Sequence, residues 1–199
     1  MPGTPYSREV DGIVAAGATG ILFVCTANQC RSVMAEAVAR RRFAGMPFVF
    51  DSAGLIEGGR SMPPAGVEVA SEWGFDLAAH VSRRVDTRRL RGWDVILTMT
   101  REHVRELVAA DAELWPRVFT LPQFVRWLDD HRPSRHVLLG EWIDMAGADR
   151  PRSEMIGASA QDDIEDPVDK PPEAWRDLVA ELTWEIDRIA DRLTSSSTP

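Results

Sequence analysis

The clearest pattern of hydrophobic and polar positions lies between residues 21 and 43. Residues 21–24 form a continuous apolar run, as expected for a strand that is buried on both faces. After a short polar stretch, apolar residues recur at helical spacing, with charged residues between them. The apolar positions are Met34, Ala35, Val38 and Phe43, and the charged ones are Glu36, Arg40, Arg41 and Arg42. The pattern predicts a strand, a compact polar loop and an amphipathic helix.

The alternation of apolar runs and helical stripes continues toward the C-terminus. Strands are predicted at residues 48–52, 93–99 and 117–121, and helices at residues 65–73, 101–110 and 122–128. The last segment carries one apolar stripe at helical spacing, made of Trp175, Leu178, Val179, Leu182, Ile186, Ile189 and Leu193. This order predicts an α/β fold: a single-domain three-layer sandwich with a four-stranded parallel sheet flanked by helices on both faces. A site is expected at the carboxyl ends of the strands.

Two stretches fall outside the regular pattern. Residues 1–19 contain Pro, Gly and charges and are expected to be a flexible N-terminal leader, with the domain covering residues 20–194. Residues 129–161 mix Pro, Gly, Ser and charges around a few apolar anchors at 137–139 and 142–143. We interpret them as a long functional or mobile insertion rather than a second domain.

Charge and composition restrict the possible partners. The net charge is −8, which argues against nucleic acid or an anionic membrane surface as the main partner. No apolar run reaches the length of a membrane span, and the N-terminus lacks a signal-peptide pattern, so a cytoplasmic location is expected. The two cysteines, Cys25 and Cys30, argue against a disulfide framework and against a metal site. An anionic substrate must therefore be captured by a local positive site.

The polar loop after the first strand has the composition of such a site. Its backbone N–H groups, bent around a helix N-terminus, can form an anion-binding nest for a tetrahedral oxyanion such as phosphate or sulfate. The same positive field favours the thiolate of Cys25 as a nucleophile, and the planar fork of Arg31 can grip two oxygens. Ser32 can donate to the Cys25 sulfur, and Asn28 tolerates positive φ in a tight loop. The predicted phosphate-binding residues are Thr26, Ala27, Asn28, Gln29, Cys30, Arg31 and Ser32.

A second thiol in the same loop admits two interpretations. Cys30 can form a redox pair with Cys25, in which it traps an oxidised Cys25 as a disulfide before irreversible oxidation. Alternatively, Cys30 is a small residue that packs under the loop. The spacing of the two cysteines does not choose between them.

The segment V-C-T-A-N-Q-C-R-S-V-M-A-E-A at residues 24–37 resembles the low-molecular-weight protein tyrosine phosphatase family, which is marked by C-x5-R-S between the first strand and the first helix. Many members carry a second cysteine where this chain has Cys30. D-S-A-G at residues 51–54 is similar to the next family landmark, whose serine, here Ser52, braces the loop asparagine. His80 matches a histidine that tethers the same asparagine. Residues 93–99 also resemble a family segment, but Thr100 follows where many members have Asp.

An Asp-Pro pair before the last helix is the second chemical landmark. The family places its general acid in such a pair, so the resemblance implies that Asp166, held by Pro167, has this role. Chemistry requires such a group, because the oxygen that leaves phosphorus needs a proton. Judged by charge alone, Asp163 is the other candidate for the general acid. The alternative interpretation is that this acidic run only caps the helix.

The resemblance implies a phosphatase without metal or organic cofactor. Cys25 attacks phosphorus held by the loop and Arg31, and Asp166 protonates the leaving oxygen and then activates water. The expected substrate is a phosphorylated protein or a small phosphomonoester, and the expected state is a monomer or weak dimer. Gln29 and Ala27 depart from the usual loop residues and leave the phosphorylated residue open. The alternatives are an arsenate reductase that uses an external thiol and a non-catalytic phosphate-binding module.

Overall fold

A computed structural model describes residues 18–133 and 137–194. The strands are β1 (Thr19–Cys25), β2 (Phe48–Gly54), β3 (Val95–Thr98) and β4 (Val118–Thr120). The helices are α1 (Arg31–Arg42), α2 (Pro64–Glu72), α3 (Arg101–Ala110), α4 (Leu121–Asp130), α5 (Leu139–Gly147) and α6 (Pro172–Thr194). Short 3-10 helices cover Thr87–Gly92, Ala112–Arg117 and Arg152–Met155. The fold is the predicted α/β sandwich.

The four strands form one parallel sheet in the order β2-β1-β3-β4. Residues that alternate along β1 face opposite sides of the sheet. Ile21, Phe23 and Cys25 belong to a core shared with α1, α2, α4, α5 and α6. Leu22 and Val24 belong to a second core shared with α3 and two of the 3-10 helices. Both faces are therefore covered, which explains why β1 reads as a continuous apolar run.

The predicted helices bury the faces that their patterns indicate. In α1, Met34, Ala35 and Val38 are buried, and Phe43 packs just after its end. The stripe of α6 is buried from Trp175 to Ile189, and Leu193 packs at its edge. The amphipathic pattern thus correctly predicts which side of these two helices is buried.

Several element boundaries differ from the prediction for local reasons. Strand β1 begins at Thr19, the last residue assigned to the leader, because its N–H donates to the Pro47 carbonyl at 2.8 Å. Strand β2 extends to Gly54, which pairs with Cys25. Strand β4 ends at Thr120, because Thr120 and Gln123 form a capping box that starts α4 at once. Residues 1–17 of the predicted leader lie outside the described residues.

The segment 129–161 contains more regular secondary structure than the sequence pattern predicts. Helix α5 lies within it, and Trp142 and Ile143 are buried as the anchors predicted from the sequence. Leu138 is 63% exposed and is not an anchor. Whether the segment is an insertion with its own function stays a prediction.

The C-terminal end of β1 lies at the point where the chain order of the sheet reverses. Strand β1 has β2 on one side and β3 on the other, and such a switch point opens a crevice at the carboxyl ends of the strands. Cys25 is the last residue of β1. Within the described residues, every helix is too short or too polar to be a transmembrane segment.

Candidate active site

The loop between β1 and α1 wraps around the sulfur of Cys25. The backbone N–H of Asn28 donates to Cys25 Sγ at 3.2 Å, and the hydroxyl of Ser32 lies 3.1 Å from the same atom. Cys25 and Ser32 are both buried, with 2% and 0% of their surfaces exposed. The sulfur therefore lies at the floor of the loop, where an N–H donor and the start of α1 stabilise negative charge.

Asn28 connects the loop to three neighbouring segments. It has a positive φ of 53° and is fully buried. Its Nδ2 donates to Ser32 Oγ at 3.0 Å and to Ser52 Oγ at 2.9 Å. Its Oδ1 accepts the backbone N–H of Arg83 at 3.1 Å. Every polar atom of this side chain is thus used, which fixes the left-handed turn on which the loop depends.

His80 holds the same turn from the other side. Its Nε2 lies 2.7 Å from the backbone carbonyl oxygen of Asn28. The structure therefore brings both predicted support residues, Ser52 and His80, to Asn28.

Arg83 and Asp51 support this turn and were not predicted from the sequence. Arg83 forms an ion pair with the buried carboxylate of Asp51 and donates from Nε to the Ser52 carbonyl at 2.8 Å. The sequence contained one indication of this pair: Asp51, the first residue of D-S-A-G, is an acidic residue within a predicted strand. Nothing in the sequence pairs it with an arginine 32 positions later.

Gly54 permits the close approach of β2 to the loop. A Cβ at this position would lie 2.8 Å from the carbonyl carbon of Ala27 and 2.9 Å from both the nitrogen of Asn28 and the carbonyl oxygen of Thr26. These are backbone atoms that cannot rotate away. The glycine of D-S-A-G is therefore required by contact rather than by an unusual φ.

Arg31 is the first residue of α1 and is 5% exposed. Its Nη1 donates to the Ile164 carbonyl at 3.2 Å, its Nη2 contacts Asp166 Oδ2, and Nη2 also lies 3.4 Å from Thr26 Oγ1. Its Nε is buried and has no hydrogen-bond partner among the described residues. A buried guanidinium N–H without an acceptor is costly, so this geometry is suited to an oxygen of a bound anion.

The two candidate acids have different surroundings. Asp166 accepts from Cys30 Sγ at 3.4 Å and from the Val168 N–H at 3.1 Å, in addition to its contact with Arg31. Asp163 instead accepts the backbone N–H groups of Arg101 at 2.8 Å and Ser159 at 2.9 Å. The structure thus brings Asp166 to the loop, while the contacts of Asp163 tie its own loop to α3.

The loop that carries Asp166 is anchored immediately before it. The Ile164 N–H donates to the Met99 carbonyl at the end of β3, at 2.8 Å. The buried carboxylate of Asp162 binds Arg101 and Arg126, and these two hydrogen bonds contribute to a lowered pKa although burial opposes it. Asp166 is consequently presented by a segment fixed on both the sheet and α3.

Cys30 is buried beneath the loop, with its thiol on the Asp166 carboxylate. Burial raises the pKa of this thiol far above its usual range, and the charges of Cys25 and Asp166 raise it further. Cys30 is therefore a thiol that can donate to Asp166. This contact was not predicted from the sequence.

His103 is a further residue that the sequence did not indicate. It lies on α3, is 4% exposed, and its Nε2 is 2.9 Å from the hydroxyl of Thr26. Burial and the nearby charge of Arg31 lower its pKa to about 4, so the ring is neutral near neutral pH. Its Nδ1 has no partner among the described residues.

The remaining loop residues form the opening of the site. Thr26 is exposed, and Ala27 and Gln29 are half-buried. Gln29 donates from Nε2 to the Ser61 carbonyl at 2.8 Å, which ties the loop to the segment after β2. No group of three or more His, Cys, Asp or Glu residues suited to a metal ion occurs among the residues that the structure describes. The polar groups that converge here are a thiol, a guanidinium and a carboxyl.

Comparison with known proteins gives consistent matches. Residues 20–134 match the family described as low molecular weight phosphotyrosine protein phosphatase. The low molecular weight protein-tyrosine-phosphatase Wzb of Escherichia coli K12 is 34% identical over 99 residues, which are 49% of this chain and 66% of Wzb, just under two thirds of its length. The protein-arginine-phosphatase of Geobacillus stearothermophilus is 31% identical over 176 residues, covering 87% of this chain and 95% of that protein.

A solved structure of similar fold extends this match. The low molecular weight protein tyrosine phosphatase from T. tengcongensis is 27% identical, with a TM-score of 0.66. The match covers 87% of this chain and 99% of that one. The likeness therefore extends well beyond the loop around Cys25.

Proposed function

Because this chain belongs to the low molecular weight phosphotyrosine protein phosphatase family, we propose that it is a cysteine phosphatase that hydrolyses a phosphorylated residue on proteins. One observation carries the proposal. The buried fork of Arg31 lies between the loop of Cys25 and the carboxylate of Asp166, and its Nε has no partner among the described residues. A phosphoryl group in this loop would meet a nucleophile, a bidentate cation and an acid.

In the first step, the Cys25 thiolate attacks phosphorus. An S–P bond forms and the P–O bond to the substrate breaks, while Asp166 gives its proton to the leaving oxygen. The N–H of Asn28 and the hydroxyl of Ser32 stabilise the sulfur before attack. Arg31 holds two of the phosphoryl oxygens as their charge changes.

In the second step, water hydrolyses the cysteinyl-phosphate. Asp166, now a carboxylate, takes a proton from the water, whose oxygen attacks phosphorus as the S–P bond breaks. Inorganic phosphate leaves, and the Cys25 thiolate is regenerated with Ser32 at hydrogen-bond distance. The groups that would perform both steps are Cys25, Arg31 and Asp166, and neither step uses a metal or an organic cofactor.

The phosphorylated residue has two candidates. Phosphotyrosine is supported by the family and by relatives such as Wzb. Phosphoarginine is supported by the relative named protein-arginine-phosphatase, which matches along 95% of its length. Residues 55–58 and 168–169, which follow the Ser-Ala segment and the Asp-Pro pair, contain no aromatic residue, which favours a non-aromatic substrate. The cytoplasmic location and the oligomeric state stay predictions.

The deciding experiment measures hydrolysis of an aryl phosphate at mildly acidic to neutral pH with a chelator present. We expect turnover by the wild type and none by Cys25→Ser, which should still bind inorganic phosphate because Arg31 and the loop remain. The same assay with a phosphotyrosine peptide and a phosphoarginine peptide then separates the two substrates.

Two other results would replace the proposal. Phosphate binding without turnover by the wild type would indicate a binding module. Reduction of arsenate with a small external thiol, in the absence of phosphatase activity, would indicate an arsenate reductase.

A further inference from the structure

His103 is a buried polar residue that the steps above do not use. Its ring is 4% exposed, and its single hydrogen-bond contact among the described residues is Nε2 to Thr26 Oγ1, at 2.9 Å. Thr26 directly follows the nucleophile Cys25 in the chain. Burying a polar ring costs free energy, and here its one hydrogen bond leads to the loop that surrounds Cys25.

The surroundings of the two ring nitrogens of His103 differ, and they indicate which nitrogen carries the proton. A neutral imidazole has one N–H. On Nδ1 this N–H would be buried without an acceptor among the described residues, an arrangement that is rare because of its cost. On Nε2 it donates to Thr26 Oγ1. The geometry therefore favours the tautomer with the proton on Nε2.

The hydroxyl of Thr26 then has a defined arrangement. Its oxygen accepts from His103 Nε2 and, at 3.4 Å, from Arg31 Nη2. Its two lone pairs are used, so its own hydrogen is free to donate. Thr26 is exposed, so this hydrogen can reach a group that enters the loop.

We propose that His103 is a positioning residue of the phosphate site: it holds the Thr26 hydroxyl, which supports Arg31 Nη2 and donates its own hydrogen to an oxygen of the bound phosphoryl group. The inference rests on the proposed phosphatase function. A neutral ring suits this role, because a second cation beside Arg31 would repel it. The lowered pKa of His103 keeps the ring neutral at working pH.

The test is a double-mutant cycle on His103 and Thr26. Thr26→Val and His103→Leu should each lower kcat/KM on an aryl phosphate about 10- to 100-fold and weaken binding of inorganic phosphate. The double variant should be no worse than the poorer single variant, because both changes remove the same hydrogen bond. Thr26→Ser and His103→Gln, which keep a hydrogen-bonding group, should recover most of the loss. Thr87→Val, at another exposed threonine, is the matched control and should change nothing.

The outcomes separate this inference from the function on which it rests. Losses that multiply in the double variant, or a Thr26→Val variant with unchanged kcat/KM and phosphate affinity, would overturn the role of His103 while leaving the phosphatase intact. If the wild type binds phosphate without turnover, the phosphatase proposal fails, and the cycle is read from phosphate affinity alone. If His103→Leu does not fold, His103→Phe, which keeps a ring but has no hydrogen-bonding group, takes its place in the cycle, and exposed Thr26 tolerates Val.

Discussion

The carboxylate of Asp166 contacts the guanidinium of Arg31 across 135 positions of sequence. One oxygen of Asp166 lies on Arg31 Nη2 and the other accepts the Cys30 thiol at 3.4 Å. In the proposed reaction a phosphoryl group uses the same guanidinium. We therefore expect it to compete with the Asp166 carboxyl group for Arg31 and to leave that group beside the leaving oxygen.

Replacing Asp166 by Asn should separate turnover from anion binding. We expect kcat for a poor leaving group to fall about 100- to 10,000-fold, because the acid is lost, with a smaller loss for a good leaving group. Affinity for inorganic phosphate should not fall, because the competing carboxylate is also lost. Steady-state kinetics on alkyl and aryl phosphates and calorimetry with phosphate measure the two effects.

Asp163→Asn is the matched control for this variant. Its carboxylate binds backbone N–H groups of Arg101 and Ser159, so we expect a modest loss of stability and little dependence on the leaving group. If the loss of kcat is larger for a poor leaving group than for a good one in Asp163→Asn, and not in Asp166→Asn, the general acid is Asp163 instead.

Most of the fold could be predicted because each element carries its own local pattern. The strand β1 is a continuous apolar run, and α6 repeats buried residues at helical spacing over its whole length. Helix α5 was missed because only Trp142, Ile143 and Gly147 are buried in it. Pro, Gly and charged residues around so short a helix leave little periodicity to detect.

The site was predictable where its residues are close in sequence. Cys25, Asn28, Arg31 and Ser32 lie within eight consecutive residues, from the end of β1 to the start of α1, so their spacing carries the geometry. Arg83 and His103 reach this loop from 55 and 77 positions away, and a single Arg or His has no periodic or spacing signal. Contacts of that range depend on how the elements pack, which the local pattern does not encode.

Replacing Arg31 by Lys should show that the loop needs a planar fork rather than a charge. Lysine keeps the positive charge but cannot donate to the Ile164 carbonyl and to two phosphoryl oxygens at once. We expect kcat/KM to fall about 100- to 1,000-fold with a smaller change in the unfolding temperature. Retention of near wild-type kcat/KM in Arg31→Lys would contradict a bidentate role.

Gly54→Ala should distort the loop through contact with its backbone. The added methyl would lie 2.8 to 2.9 Å from atoms of Thr26, Ala27 and Asn28, and overpacking of this kind costs about 1 to 3 kcal/mol. We expect lower thermal stability together with weaker phosphate binding. Gly45→Ala, which has a positive φ of 81° and open space around it, should cost stability without changing phosphate affinity. Equal phosphate affinity in both variants would show that the contact at Gly54 is tolerated.

We expect the titration of Glu185 to lower the free energy of unfolding as the pH rises from about 4.5 to about 7. Burial raises the pKa of this carboxyl on α6 to about 7, and its Oε2 has no partner among the described residues. The neighbouring charges are Glu181 and Arg188 on α6 and Arg126 and Asp129 from the α4 side.

The direction of this pH dependence follows from the pKa values of Glu185 in the unfolded and folded states. The unfolded chain loses this proton near 4.5 and the folded protein near 7, so between these values the folded state binds more protons and loses stability with rising pH. Glu185→Gln should remove this dependence and stabilise the protein above pH 7 by up to roughly 3 kcal/mol. Urea unfolding across this range measures the change, with Asp177→Asn, at an exposed carboxylate of α6, as the control. If the free energy of unfolding of Glu185→Gln depends on pH as that of the wild type does, another group is responsible for the dependence.

Cys30 should resist alkylation in the folded protein. Only the thiolate reacts, and burial together with the charge of Asp166, both of which remain when Cys25 is replaced, raises the pKa of the Cys30 thiol. In Cys25→Ser, where Cys30 is the remaining cysteine, we expect iodoacetamide to leave the native protein unmodified in mildly alkaline buffer and to modify the urea-unfolded chain fully. Mass spectrometry of the intact protein counts the adducts.

The same property bears on the proposed redox pair. A disulfide with oxidised Cys25 requires attack by the Cys30 thiolate on the sulfenic acid, with release of hydroxide, which takes up the proton that the thiol has lost and leaves as water. Because the thiol is held protonated on Asp166, we expect peroxide to inactivate the wild type irreversibly faster than the disulfide forms. Reducing agent should then recover only a small part of the activity, and Cys30→Ser should behave much like the wild type. Full recovery in the wild type and none in Cys30→Ser would establish the redox pair and show that the loop opens to release Cys30 from Asp166.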